Sequence, residues 1–256
     1  MKVGITLLTC NRLDWTKECI RTLEKNTPRD LYTLTVVDNG STDGTVEYLS
    51  ALHCRVLLLG KNVGVAKSRN LSIHASLIHD IPDYICFIHN DMLFPKDWLQ
   101  LSLNQLIPRG KNIVLGISNI IGEQLLFYSD ELKDKIANAS IEDKTEIANL
   151  EPRFYPASIF RDIGFLDESY DQSECEDVDY NIRISNSKYK LLATNNASVF
   201  HALGLVRTKL PDNESIRRAN LDRCVEKYGK ELFNKYNYAR RSTFYFDNIP
   251  YLRYGV

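Results

Sequence analysis

Apolar runs of strand length alternate with amphipathic helical patterns through the first 120 residues, and this alternation constrains the fold more than any other feature. Val3–Leu8, Leu34–Val37, Arg55–Leu59, Tyr84–Ile88 and Ile113–Ile117 are short apolar or β-branched stretches. Between them, Trp15, Cys19, Ile20 and Leu23 share one helical face, with Asp14 placed to cap it and Pro28 to stop it. Val46, Leu49 and Leu52 form a second stripe, Ala66, Asn70, Ile73 and Leu77 a third, and Trp98, Leu101 and Leu106, after Pro95, a fourth. Strand, helix and strand at this spacing imply parallel strands joined by right-handed crossovers. The strands are almost continuously apolar, as strands covered on both faces should be. The expected fold is α/β, with a mostly parallel central sheet and helices on both faces.

After about residue 120 the rhythm breaks. Residues 122–152 are polar and irregular, and read as a long surface excursion. A strand-like Ala157–Phe160 follows, then an acidic segment and a helix from Glu176 to about Asn186. Tyr189–Ala193 and Ala197–Phe200 look like short strands, and residues 213–230 like a helix ending at Gly229. No Ser/Gly-rich linker or repeat interrupts the chain, so residues 1–230 read as one domain and 231–256 as an extension. The 32 Lys and Arg against 33 Asp and Glu argue against a polybasic nucleic-acid binder. No apolar run approaches the roughly 20 residues of a spanning helix. Met1–Arg12 reads as a buried strand and its turn rather than a signal peptide. Six cysteines without CxxC spacing are then expected as free thiols in a reducing cytosol.

In open α/β sheets ligands bind beyond the carboxyl ends of the parallel strands. Those ends carry Thr9-Cys10-Asn11-Arg12, Asp38-Asn39-Gly40-Ser41-Thr42-Asp43-Gly44, Gly60-Lys61-Asn62-Val63-Gly64 and His89-Asn90-Asp91. Turn chemistry accounts for Gly and Asn, less readily for Asp at adjacent strand ends. Asp38 is placed as the ribose-binding acid of a dinucleotide site, but no GxGxxG follows the first strand and no Walker A loop is present. A nucleotide held here needs its diphosphate neutralised otherwise, and Mg2+ or Mn2+ at Asp91 would do so. His201 is a candidate second ligand, its alternative being a hydrogen-bonded histidine at a strand end.

Residues 167–179 hold seven carboxylates and no Lys or Arg. An EF-hand is excluded, because Gln172 and Val178 stand where Gly and Glu are needed. The remaining readings are a solvated loop leading into a helix N-terminus, or a carboxylate cluster that holds a general base.

In this order and spacing, these segments resemble the inverting glycosyltransferases of family 2, which have the GT-A fold. The resemblance rests on Thr9–Arg12, Val36–Thr45, Asn62–Asn70, His89–Met92, Gly164–Glu168, and Glu176–Tyr180 with Arg183. It implies a Rossmann-like sheet with a nucleotide-sugar-binding half, residues 1–120, and a smaller acceptor-side half, 121–230. Thr9, Asn11, Arg12, Asp38, Asn39, Asn62, Gly64, Arg69, Asn90 and Asp91 would then line the donor site, with Asp38 at the base or ribose and Arg69 toward the diphosphate. Asp91 resembles the metal-binding acid of the family's DxD motif, and His201 falls where the family often has a histidine. Asp177 resembles the catalytic base, with Glu176 beside it. The sequence departs from the full DxD pattern, keeping one carboxylate in His89-Asn90-Asp91, and His89 could be a ligand or a core residue.

The resemblance implies transfer of a sugar from a nucleotide-diphospho-sugar to a saccharide, lipid-linked or protein acceptor, with Mn2+ or Mg2+ as cofactor. A non-catalytic nucleotide-sugar binder and a sugar-phosphate nucleotidyltransferase are the alternatives. Residues 231–256 hold eight of the 26 aromatics, interleaved with Arg240, Arg241 and Arg253. They read as a membrane-surface contact, a subunit interface, an acceptor platform, or a tail packed on the sheet. The expected location is cytoplasmic, with peripheral contact at the inner membrane face.

Overall fold

Residues that alternate along a strand point to opposite faces of its sheet, so a strand apolar at every position needs cover on both sides. The computed structural model, which describes residues 1–121, 151–170, 172, 174–201 and 213–236, provides that cover. Its strands are β1 (Val3–Thr9), β2 (Tyr32–Asp38), β3 (Arg55–Leu58), β4 (Tyr84–His89), β5 (Met92–Leu93), β6 (Ile113–Ile121), β7 (Arg153–Pro156) and β8 (Lys190–His201). They form one sheet in the order β3-β2-β1-β4-β7-β6-β8-β5. β1, β2, β3 and β4 are mutually parallel, as are β6 and β8, whereas β7 and β5 run antiparallel to their neighbours. The helices are α1 (Leu13–Asn26), α2 (Thr45–Ser50), α3 (Val65–His79), α4 (Trp98–Leu106), α5 (Ile159–Asp162), α6 (Glu176–Ser185), α7 (Asn213–Tyr228) and α8 (Lys230–Tyr236).

The two faces divide the core. Val3, Ile5, Leu7, Cys86 and Ile88 pack with Cys19, Ile20 and Leu23 of α1, Leu49 of α2 and Trp98, Leu103 and Leu106 of α4. Ile85, Phe87, Val114 and Tyr155 pack on the other side with Ala66 and Ile73 of α3, Phe160 of α5 and Tyr180 and Ile184 of α6. A third cluster joins α6 to the last two helices through Tyr170, Cys175, Val178, Ile182, Cys224, Phe233 and Tyr236. The first two aromatics of the C-terminal extension are therefore packed against the acidic helix. Tyr238, Phe244, Tyr245, Phe246, Tyr251 and Tyr254 lie outside the described residues, as does the expected surface excursion up to residue 150.

Several element boundaries differ from the sequence expectation. The strand in the 150s is Arg153–Pro156, paired with β4, and the apolar stretch expected as a strand instead begins the short helix α5. Ile159 and Phe160 reach the second cluster from that helical turn. The two expected strands after residue 188 are one strand, β8, and a register irregularity marks its pairing with β6 between Ile117 and Asn119. Gly229, at φ +78°, separates α7 from α8. Asp14 lies in the first turn of α1, while Asp43 accepts the Leu13 N–H at 3.0 Å from the loop after β2.

The parallel register places Thr9 opposite Asp38 and Leu8 opposite His89, so β1, β2 and β4 end level. The loops after β2 and β3 touch there. A Cβ on Gly40, which has φ +86°, would lie 2.6 Å from the Lys61 carbonyl carbon and 2.7 Å from the Asn62 nitrogen. Gly40→Ala is therefore expected to cost about 2 kcal/mol or more, through strain at positive φ and this backbone clash. Urea unfolding measures that cost.

Candidate functional site at the carboxyl edge

Side-chain amides stitch the carboxyl ends of the strands together. Asn90, which follows β4, lies with Nδ2 within 3.1 Å of Thr9 Oγ1, 2.9 Å of the Asn11 carbonyl and 3.0 Å of Thr16 Oγ1. Asn11 and Arg12 both have positive φ, so the chain turns sharply out of β1. Asn11 N–H donates to Ser41 Oγ at 2.6 Å, and Asn11 Oδ1 accepts from Thr42 N–H at 2.7 Å. Asp38 closes its own turn, accepting the Gly40 and Ser41 amides and the Ser41 hydroxyl. Asn39 bridges to the next loop, donating to Asn62 Oδ1 at 2.9 Å and accepting Val63 N–H at 2.8 Å. Asn62 Oδ1 also accepts Gly64 N–H at 2.9 Å. Arg12 stands 3.6 Å from Asp14 and is partly exposed. Asn39 N–H donates to the Thr9 carbonyl at 2.8 Å, so Thr9, Asn11, Asp38, Asn39, Asn62, Gly64 and Asn90 share one network, with Asn62 on its exposed rim, whereas Arg12 turns to Asp14.

Asp91 and His201 meet although 110 positions separate them, because β5 pairs Met92 with His201 at the end of β8. The His201 Nε2 to Asp91 Oδ1 distance is 3.1 Å, and both side chains are largely buried. Burial pushes the Asp91 carboxyl up, but His201 beside it and His89 nearby outweigh this and hold it below the usual carboxylate range. Among the described residues no three His, Cys, Asp or Glu side chains cluster to hold a metal by themselves. The pair nevertheless fits a cation of the Mg2+ or Mn2+ type. An octahedral ion with bonds of about 2.1 Å sets neighbouring ligand atoms about 3 Å apart, and it commonly takes its other ligands from phosphate and water.

Arg69 is placed differently from the expectation that it faces a diphosphate. Its side chain is 1% exposed: Nη1 donates to the Thr6 carbonyl at 2.9 Å, and the guanidinium carbon lies 4.7 Å from the centre of the Phe87 ring. Nη2 is 3.2 Å from both His89 Nε2 and Glu151 Oε2. A guanidinium locked beneath the edge by α3 packing cannot also reach outward. Glu151 was not among the sequence candidates, because it ends the polar stretch read as surface loop. Here its carboxylate pairs with His89 and Arg69. Burial pushes the Glu151 carboxyl up, yet His89 and Arg69 outweigh it and hold it well below the usual range.

The acidic segment packs onto α3. Asn70 exchanges hydrogen bonds with the Leu166 backbone, 2.9 Å as donor and 3.1 Å as acceptor, and donates to Glu168. Val65 N–H donates to the Gln172 carbonyl at 2.7 Å, close to Gly64, whose φ is +87°. Gln172, Glu174 and Cys175 all have positive φ, which delivers the chain abruptly to Glu176 and Asp177 in the first turn of α6. Asp171 and Ser173 lie outside the described residues. Glu176 is buried, while Asp177 is half-buried and its Oδ1 accepts Val178 N–H at 2.8 Å. Arg153, buried and 2.8 Å from Asn181 Oδ1, carries a guanidinium that feels both Glu151 and Asp177. One turn inward, Asp179 is fully buried and accepts from Lys227 at 2.6 Å, Tyr228 at 2.6 Å and Arg183 at 2.8 Å.

The profile of Glycosyl transferase family 2 matches residues 5–163. The chain belongs to that family. Uncharacterized glycosyltransferases of Rickettsia felis and Rickettsia conorii are each 32% identical over 107 residues, which is 40% of this chain and 17% of theirs. The matched segment is thus a minor part of those longer relatives. Crystal structures share the fold at low identity. TarS 1-349 from S. aureus aligns with 92% of this chain and 70% of its own, at TM-score 0.62 and 16% identity. GalNAc-T7, crystallised with UDP, GalNAc and Mn2+, aligns with 94% of this chain and 50% of its own, at TM-score 0.69 and 14% identity. These neighbours have the GT-A fold, and the sheet and helices described above are that fold in this family 2 chain. No helix among the described residues is long and apolar enough to cross a membrane.

Lys227 also contacts Asp167 at 2.8 Å, joining α7 to the start of the acidic segment. Burial pushes the Asp167 carboxyl up, but Lys227 and the Ser169 backbone outweigh it and hold it at about 2, against 3.8 for a free aspartate. Its stabilising contribution is full above pH about 4 and is lost as the pH falls toward about 2. Lys227→Met is expected to cost about 2 kcal/mol at pH 7, because Asp179 keeps two of its three donors. The stability gap from wild type should narrow between pH about 4 and about 2 in denaturation curves.

Proposed function

We propose that this chain transfers a sugar from a nucleoside diphosphate sugar to a hydroxyl acceptor, with inversion at the anomeric carbon. The observation that carries the reading is the buried Asp91–His201 pair, 3.1 Å apart at the carboxyl edge of the sheet. Beside it, Asn90 ties the end of β4 to Thr9, Asn11 and Thr16. In this reading residues 1–120 hold the donor, and the later part of the chain presents the base and the acceptor. UDP, GalNAc and UDP-GlcNAc in crystals of the fold neighbours support a nucleotide-sugar donor.

Breaking the bond from the anomeric carbon to the diphosphate builds negative charge on the leaving group and an oxocarbenium-like carbon. A divalent cation held by Asp91 and His201 would supply the positive charge that the departing diphosphate requires. Asp38 and Asn39 keep the turns of the donor pocket in place, and Asn90 fixes the end of β4 so that Asp91 faces His201. Arg69 stays beneath the edge with its charge compensated by Glu151, and does not touch the leaving group. Asp177, on the rim of α6, takes the proton of the acceptor hydroxyl as it attacks from the opposite face. Glu176 is buried beside it in the first turn of α6. The acceptor is a saccharide, a lipid-linked glycan or a protein.

Asp177→Asn should lower turnover by about a thousandfold while leaving donor affinity within about threefold of wild type. Near-wild-type turnover in that variant removes Asp177 as the base. Asp91→Ala should weaken donor binding only when Mn2+ is present, which calorimetry with and without the ion measures directly.

A further inference from the structure

The ring of His201 is held in an unusual way. Its Nε2 faces Asp91, while Nδ1 is buried and has no hydrogen-bond partner among the described residues. A ligand histidine is ordinarily oriented by a hydrogen bond at its second ring nitrogen, which sets both tautomer and ring plane. What lies against His201 instead is His89, its ring nearly parallel at 10°, with centroids 5.8 Å apart.

His89 is in turn fixed from behind. Its Nε2 pairs with Glu151 Oε2, and its backbone carbonyl accepts the Cys19 thiol at 3.4 Å. Glu151 has an immobile anchor in Arg69, which lies 3.2 Å away and is pinned between the Thr6 carbonyl and the Phe87 ring. An unbroken chain of contacts therefore runs from Arg69 through Glu151 and His89 to His201 and Asp91.

We propose that Glu151 is a positioning residue for the Asp91–His201 pair: it sets the plane of the His89 ring, and the stack passes that plane to His201. The inference rests on Asp91 and His201 being ligands of the divalent cation. Glu151 touches neither of them, and its effect on the pair reaches it only through His89. Outer partners of ligand histidines typically carry a 10- to 100-fold share of metal affinity when the contact is a hydrogen bond, and the stack is expected to reach the lower end of that range.

The test uses the full chain, with Mn2+ alone as the probe. Histidine ring 15N resonances are recorded in metal-free protein, and Mn2+ binding is followed by the EPR signal of the free ion. Glu151→Gln should shift and broaden the His201 ring resonances without metal and weaken Mn2+ binding about tenfold. His89→Ala, which removes both the pair and the stack, should do the same. His89→Phe keeps an aromatic face against His201 but gives Glu151 no ring nitrogen to hold, so Mn2+ affinity should fall there about as far as in Glu151→Gln. Should Glu151→Gln not fold, Glu151→Asp keeps a counter-charge for Arg69 but withdraws it from His89, and weakened Mn2+ binding is expected there too. A lowered thermal midpoint in the Glu151 variants, with His201 resonances and Mn2+ affinity unchanged, would mean that Glu151 only neutralises Arg69, and overturns the proposal. Unchanged Mn2+ affinity in His89→Phe would show that the Glu151 contact is not passed on, and abolished binding there would make His89 a ligand itself; either overturns the proposal. If the wild-type chain binds no Mn2+, the ligand reading fails separately, and the metal-free resonances still show whether Glu151 orders His201.

Discussion

A guanidinium buried beneath the carboxyl edge of the sheet governs how this site is built. Enclosing Arg69 would cost several kcal/mol if its charge were left uncompensated, so the fold must bring an acid to it. The acid is Glu151, 82 positions away, at the entry to the strand that pairs antiparallel with β4. Meeting that demand draws the second half of the chain against the first, and it places His89 between the buried charges and the Asp91–His201 pair. The aromatic face of Phe87 and the Thr6 carbonyl complete the enclosure, so β1 and β4 both contribute to it.

The acidic side of the cleft follows a similar logic with the signs reversed. Asp179 is a fully buried carboxylate with three donors from α6 and the last turn of α7, so the acidic helix is held from inside the protein. On the outer side, Gln172, Glu174 and Cys175 take positive φ, a conformation that persists only where surrounding contacts determine it. Val65 and Asn70 of α3 supply such contacts. One helix thus carries Arg69 toward His89 and Glu151 and fastens the acidic segment that leads to Asp177.

Much of this was legible in the residues. β1, β2, β4 and β6 could be read because burial on two faces leaves uninterrupted apolar runs, β3 from its apolar Val56–Leu58 at the half-covered sheet edge, and the edge loops because Asp, Asn and Gly crowd immediately after the strands. Asp91 and His201 could each be placed at a strand end. Their meeting depends on the two-residue strand β5, too short to leave a pattern. The strand Arg153–Pro156 was missed because it opens with an arginine and closes with a proline, while the more apolar neighbouring run entered a helix. The family resemblance alone points Arg69 toward the diphosphate, and no linear pattern shows that its guanidinium is enclosed between the Thr6 carbonyl and the Phe87 ring. Nothing in a linear pattern marks Glu151, whose importance comes from what the fold sets beside it.

The proposed function requires that this carboxyl edge bind a nucleotide-sugar and activate its anomeric bond. Release of nucleoside diphosphate from a panel of nucleotide-sugars, measured with Mn2+ and without an acceptor, tests it most directly. The account predicts slow, protein-dependent release from at least one donor, abolished by chelation of the ion. A donor that raises the thermal midpoint of the protein yet is never cleaved, with or without candidate acceptors, would contradict it and leave a nucleotide-sugar binder in its place.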